Sequence, residues 1–178
     1  MAAVDSSLYE KFIIESADGD RTVDISQGVV GFVYYENILA PSLTATVVVV
    51  NTGGTVKGKD GKMQGIYNGL PLRGGERVII KIAGNSKTNK GLDFSKNSTQ
   101  YFYVASISNV TVDAEKEIFT LNLVSRESIT NQTSKVGRKF PTSQTISKSV
   151  TDIIKEYLKS DKIGTIDETQ NKYGFIGN

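Results

Sequence analysis

The sequence predicts a mainly β fold: an antiparallel barrel or sandwich of six to seven strands with one amphipathic helix capping it. Three observations carry this. A long strand pair runs from Gln100 to Ser128, several other stretches alternate apolar and polar residues, and helical spacing occurs in one place, Ile146–Lys159. Alternation with period 2 sets one row of side chains on a core and the other in water, whereas a stripe of period 3.6 marks a helix lying on a core.

Phe12-Ile13-Ile14 opens a first strand, Ala17-Asp18-Gly19-Asp20 reads as a turn with glycine available for positive φ, and Arg21–Ile25 is the return arm. Val29–Glu36 and Leu43–Asn51 follow, broken at Asn37–Ser42 by a proline that cannot donate to a ladder. Leu43, Ala45, Val47 and Val49 alternate with Thr44, Thr46, Val48 and Val50, so the strand is half-exposed at its start and buried on both faces at its end. Residues 52–75, rich in glycine and lysine, read as irregular. Glu76–Ala83 is a strand with Val78, Ile80 and Ile82 on one face, and Gly84–Thr99 is polar again.

The long pair comes next. Its first arm puts Tyr101, Tyr103 and Ala105 opposite Phe102, Val104 and Ser106; its second puts Phe119, Leu121 and Leu123 opposite Ile118, Thr120, Asn122 and Val124. Val112–Glu117 is their polar connection. Arms of this length exceed the ~5–6 residues of a common strand and suit a wall shared between subunits. No helical spacing appears before Ser128. A polar basic loop follows, with Arg126, Lys135, Arg138, Lys139 and Lys148 against Glu127 alone. Then Ile146, Val150, Ile153, Ile154, Tyr157 and Leu158 form a single stripe, with Ser143 or Thr145 as N-cap and Lys159 and Lys162 near the negative end of the dipole. The expected organisation is a domain over 1–160 that includes helix 146–159, with 161–178 beginning a connecting or inserted segment. Tyr173-Gly174-Phe175-Ile176 near the end predicts that a larger protein continues.

Composition narrows the chemistry. Among 178 residues there is no cysteine, histidine or tryptophan, and the net charge is +2. Without cysteine there is no disulfide framework or thiolate metal site, and without histidine the commonest general base is missing. The expectation is a protein that is not an enzyme and carries no cofactor or metal. Met1–Ser7 has neither a charged leader nor an apolar core, and the longest apolar run is Val47–Val50, so the chain is expected to be soluble, made in a cytoplasm and not inserted in a membrane.

Gly53-Gly54-Thr55-Val56-Lys57-Gly58-Lys59-Asp60 nearly spells a phosphate-cradling loop, and Lys59 is the residue a nucleotide hydrolase would use. Asp60 stands where that loop needs a hydroxyl for Mg²⁺, and glycines stand where a helix should begin, so a connecting loop is the better reading. Asp18, Asp20 and Asp24 lack the closing glutamate of a calcium loop. The cationic side chains Arg126, Lys135, Arg138, Lys139, Lys57, Lys59 and Lys62, with Tyr34, Tyr101 and Tyr103, are the candidates for a protein interface; interleaved aromatics for stacking on bases are missing. Val150, Ile153, Ile154, Tyr157 and Leu158 are the residues expected to pack the helix.

The order of elements resembles a family. Leu72-Arg73-Gly74-Gly75-Glu76-Arg77-Val78-Ile79-Ile80-Lys81-Ile82, then Tyr101–Val112, Lys116–Ser128, Ser134-Lys135-Val136-Gly137-Arg138-Lys139-Phe140-Pro141 and the helix Ser149–Leu158 follow one another as in baseplate central hub proteins of contractile-tailed, T4-like bacteriophages. Type VI secretion spikes share a related hub. The resemblance covers roughly residues 10–160, and Val136–Pro141 before a helix is its most specific part. It implies a tail-tube-like barrel in a homotrimeric ring around a channel, in the virion tail baseplate and assembled in the host cytoplasm. Its implied partners are the tail tube or tube-initiator protein on one side and the central spike protein on the other, with wedge or other baseplate proteins beside it and DNA passing through without sequence recognition. The Lys-rich stretch 52–70 is longer than the family's connection. A hub of a bacterial contractile injection system and a carbohydrate-binding β-sandwich adhesin are the alternative readings.

Overall fold

A computed structural model describes residues 7–40, 42–58, 61–113 and 115–176. The chain divides into two compact units, Met1–Ser125 and Arg126–Asn178.

The first unit is built on one antiparallel sheet of eight strands, and the mainly β class is as the alternation predicts. The strands are β1 (Leu8–Glu15), β2 (Thr22–Asp24), β3 (Val29–Tyr35), β4 (Thr44–Thr52), β7 (Arg77–Ala83), β8 (Leu92–Asp93), β9 (Phe102–Val112) and β10 (Lys116–Ser125). Their order is β2-β1-β7-β9-β10-β4-β3, with β8 pairing on β7. The count exceeds six or seven by β8, a two-residue fragment in the stretch read as polar, while β2 lies within the expected return arm Arg21–Ile25. A small second sheet pairs β5 (Val56–Lys57) with β6 (Met63–Gln64) inside the glycine- and lysine-rich stretch.

The two borders of the main sheet, β2 and β3, are consecutive in the chain, joined through a 3₁₀ turn at Ser26–Gly28. A sheet whose borders are separated by so few residues must roll up. The turn is bonded to β1 by the Phe12 N–H to Ser26 Oγ (2.9 Å) and by the Ile25 N–H to the Phe12 carbonyl (2.7 Å). On the other side Gly28 lies against β4, where a Cβ would meet the Val50 carbonyl oxygen at 2.6 Å. Strand pairing does not close the barrel; the rolled sheet packs as a sandwich across an aromatic and aliphatic interior.

That interior is the row the alternation picks out. Phe12, Ile14, Ala45, Val47, Val49, Val78, Ile80, Ile82, Phe102, Val104, Phe119, Leu121 and Leu123 are all buried. Rings meet edge to face: Phe12 with Phe32 at 5.5 Å, Phe94 with Phe102 at 5.1 Å. Val48 and Val50 are only half-buried, so the end of β4 is not covered on both faces as expected; the register sets these residues on the outward row beside Thr120 and Ile118.

Two expectations over β9 and its surroundings need correcting. The alternation in β9 holds through Val104 and then breaks. The register passes from Leu123↔Val104 to Asn122↔Ser106, which leaves Ala105 as an extra residue, and Ile107 returns to the core side. A second slip lies between Thr120↔Ser108 and Ile118↔Thr111, where Asn109 has φ +52°. The glycine-rich stretch 52–75 also holds a one-turn helix, α1 (Ile66–Gly69). It has no periodic stripe to announce it, and forms because the buried Glu117 carboxylate accepts the N–H groups of Ile66 and Tyr67 at its start.

The second unit begins with α2 (Arg126–Thr133), where the sequence reads as the end of the long strand pair through Ser128 and then as a loop. The helix is polar nearly all round, which hides it from a periodicity test. Thr130 and Thr133 return their hydroxyls to the carbonyls of Arg126 and Ile129, and Glu127 accepts hydrogen bonds from Ser160 Oγ (2.9 Å) and Lys162 Nζ (3.0 Å). Strand β11 (Lys139–Phe140) pairs with β12 (Phe175–Ile176), stacking Phe140 on Phe175 with centroids 4.5 Å apart.

The predicted helix starts at its expected residue but is not one α-helix. α3 (Ile146–Asp152) continues as π-helix over Ile153–Tyr157, and Lys159 with φ +50° ends it. Thr145 occupies the N-cap position, yet it is Thr169 Oγ1 that accepts the Ser147 N–H, at 3.1 Å. The wider π turn shifts the stripe around the axis. Ile146 and Val150 are exposed, Ile153, Ile154, Tyr157 and Leu158 are half-buried, and the buried residues of α3 are Ser147 and Ser149. The expected packing set is therefore covered only in part. Among the described residues no helix is long and apolar enough to cross a membrane.

Candidate assembly interface

Besides the three-residue border β2, the main sheet leaves two longer stretches of backbone edge open among the described residues. One is β3, which pairs with β4 on one side and, among the described residues, with no strand on the other. The second is the distal part of β9. That strand meets β7 only at Tyr103↔Arg77 and Phe102↔Val78, with Val104 bonded to the Gly75–Glu76 turn. From Ala105 to Val112 its outer side has no strand partner among the described residues, while its inner side stays on β10.

These edges carry no charged residue, although a bulge interrupts each, between Val29 and Gly31 in β3 and at Ala105 and Asn109 in β9. Natural edge strands are kept short, charged or proline-bearing, because a row of free N–H and C=O groups templates pairing with another chain. β2, with three residues, fits that pattern. β3 has seven residues, Val-Val-Gly-Phe-Val-Tyr-Tyr, none of them charged, and Val30, Val33 and Tyr35 are exposed. β9 from Ala105 to Val112 is likewise uncharged, and Val110 and Val112 are exposed near the hairpin tip.

The buried carboxylates do structural work beside these edges. Glu76 accepts the N–H of Arg73 at 2.7 Å and of Gly74 at 2.9 Å, which folds the turn that feeds β7. Glu117 accepts Asn51 Nδ2 at 2.7 Å as well as the two α1 amides. The helix N-terminus following the near-phosphate-loop motif is thus already filled by a carboxylate. At the hairpin tip, the N–H groups of Glu115 and Lys116 hydrogen-bond Asp113 and hold its carboxyl below the usual range. Asp18 is held low chiefly by the Ser16 hydroxyl and also accepts the Asp20 N–H, and Asp24 accepts from Ser26, so Asp18 and Asp24 serve separate turns. Among the described residues no group of three or more acidic, His or Cys side chains could hold a metal ion.

The candidate interface residues fall in different settings. Tyr34 faces the interior, 5.5 Å from Phe94 and 6.4 Å from Phe102 by ring centroids. Burial first, and then the hydrogen bond it donates to Glu36, push its hydroxyl up to about 12. Tyr101 and Tyr103 are half-buried, with Tyr103 between Arg77 and Val124 in register. Lys57 is exposed on β5 and Lys62 lies beside β6, while Lys59 is outside the described residues, as is Pro41. In the second unit Lys135 and Lys139 are exposed and Arg126 is half-buried at the start of α2. Arg138 is committed within its own unit, 2.8 Å from Glu156, 3.7 Å from Asp152 and over the Phe140 ring at 5.1 Å.

Sequence reasoning favoured the charges and missed the apolar margin. Val33, Tyr35, Ile38 and Leu39 are the exposed side chains that follow the β3 edge. The signal was present in Asn37-Ile38-Leu39-Ala40, two large aliphatics side by side in a turn where polar residues are the rule. Compared with known proteins, the chain matches no family model and no curated protein.

Proposed function

We propose that this chain is a structural component of a phage tail baseplate, a hub subunit that forms a trimeric ring around a channel and joins the tail tube to the central spike. The observation that carries this reading is the pair of open, uncharged edges on one sheet, β3 and distal β9. Two different edges on one subunit are suited to head-to-tail contact, and a head-to-tail contact that closes by rotation makes a ring in which no edge is left free. The order of motifs from Leu72 to Leu158 supports the hub assignment within that geometry. In this role the chain makes and breaks no bond; it sets the width of a passage and matches the symmetries of what lies above and below.

Light scattering on the purified chain tests the reading. A trimer is expected, with mass falling on dilution as the edges separate. A monomer at every accessible concentration, with or without the spike partner, would overturn it.

A further inference from the structure

We infer that the turn between β3 and β4 is an apolar anchor by which one copy of the chain seats in a socket on the next. The inference rests on the ring reading above and adds to it a side-chain contact on the β3 margin. Ile38 and Leu39 are 98% and 89% exposed, the most exposed large apolar side chains among the described residues. Their turn is closed by its own hydrogen bonds: Asn37 Oδ1 accepts the Leu39 N–H at 2.9 Å, and the Asn37 carbonyl accepts the Ala40 N–H at 2.9 Å. Two neighbouring aliphatics are therefore held out in water by a formed turn, an arrangement that gains its free energy only when something apolar covers them.

The same unit carries a matching cavity. Tyr9, Phe32, Ile82 and Leu92, together with the polar Ser7 and Asn89, line a recess of about 240 Å³ at the ends of β1, β7 and β8. A second recess in this unit, lined by Asp113, Glu115, Lys116 and Glu117 among others, offers charge to an aliphatic side chain. Anchor and socket both border β3: Phe32 is on it, and Ile38 follows it by three residues. A contact running along that open edge engages both. Repeated head-to-tail this contact builds a ring, whereas seated reciprocally it would pair two copies about a twofold axis.

The chain has no cysteine, so engineered thiols report this contact without background. Leu39→Cys and Leu92→Cys are made singly and together, oxidised mildly and read on a denaturing gel. The double variant is expected to give covalent multimers, a mixture of the two single variants a covalent dimer, and each single variant alone a monomer. A double variant that links into dimers and nothing larger would show the twofold pair and overturn the ring contact. Leu39→Cys linking to itself would mean that anchor meets anchor, and overturns the proposal. So does a mixture that fails to link while the unmodified chain is trimeric by light scattering, an outcome that leaves the ring standing; a monomeric unmodified chain removes both. Ile38→Asp with Leu39→Asp gives a second measure. At a dilution where the unmodified chain is monomeric the two thermal midpoints should be equal, because these side chains are almost wholly exposed in their own chain, while assembly weakens at least about 30-fold, the loss expected of a central apolar contact. Assembly within threefold of the unmodified chain would sink the idea.

Discussion

Glu117 lies against Gly65 so closely that a methyl group on the glycine would sit 2.5 Å from Oε2 and 2.8 Å from Cδ. The carboxylate is held in place, because Asn51 Nδ2 and the N–H groups of Ile66 and Tyr67 all donate to it. Gly65→Ala is expected to cost about 1–3 kcal/mol through overpacking. Glu117→Ala is expected to cost about 3 kcal/mol, since it strands buried donors that had a charged partner. In the double variant the penalties should sum to less than the two single losses, as removing the carboxylate also removes the clash. Urea unfolding of the four proteins measures this; strict additivity would contradict the packing described.

The two faces of β10 should respond differently. Phe119 is fully buried, and Phe119→Ala is expected to cost about 3–5 kcal/mol, the range for emptying an aromatic site in a core. Val124, half-buried on the outward row of the sheet, should lose clearly less on truncation to alanine. Equal losses would place the core on the wrong side of the strand.

Asn109 makes a backbone prediction. Its φ of +52° belongs to the left-handed region, which asparagine enters more readily than most residues. Asn109→Gly should be close to neutral, whereas Asn109→Val should cost about 1–2 kcal/mol from the clash of its branched Cβ with the following carbonyl. The midpoint of thermal unfolding gives both values.

Those three predictions mark where the fold was legible in sequence and where it was not. Strand rows such as Val78-Ile80-Ile82 and Phe119-Leu121-Leu123 read correctly because a regular ladder turns alternate residues to one side without exception. The reading failed wherever a backbone irregularity intervened. Ala105 adds a residue to β9 and reverses its alternation, and a π turn after Asp152 rotates the stripe that began at Ile146. Glu117 was placed in a polar connection, although it is buried and caps α1; nothing local in its sequence reveals partners fifty residues away. α2 was missed for a related reason, since its tie runs from Glu127 to Ser160 and Lys162. For the interface, charge drew attention to Arg138, which is spent inside its own unit, and away from uncharged β3.

Tyr34 should titrate late. Its hydroxyl is raised from 10.0 to about 12, so the stabilisation tied to its proton is complete below pH 10 and is lost as pH rises through about 12. With no tryptophan in the chain, tyrosinate absorbance is easily followed. One of the eight tyrosines should lag behind in the folded protein, and Tyr34→Phe should remove that late step. A late step that survives the substitution assigns it to another residue.

Glu127 should make the second unit sensitive to acid. Burial works to raise its carboxyl, but the hydrogen bonds from its own backbone, Lys162 and Ser160 outweigh burial, and the net shift is below 4.5. A lowered folded value means that the stabilisation is present above 4.5 and is lost as pH falls through the folded value. Amide protection in α2 of the full chain should therefore decline in acid. Glu127→Gln should show weaker protection at neutral pH and a flatter acid response. Identical pH profiles for the two proteins would remove Glu127 from this role.

The stitch between β2 and β3 has a mechanical consequence. Because consecutive residues tie the two margins of one rolled sheet, its girth is fixed by covalent chain as well as by hydrogen bonds. To spread the roll, Ser26 must let go of Phe12 and Gly28 must leave Val50. A roll fastened in this way resists spreading under load, and yields only when the turn at Ser26–Gly28 lets go.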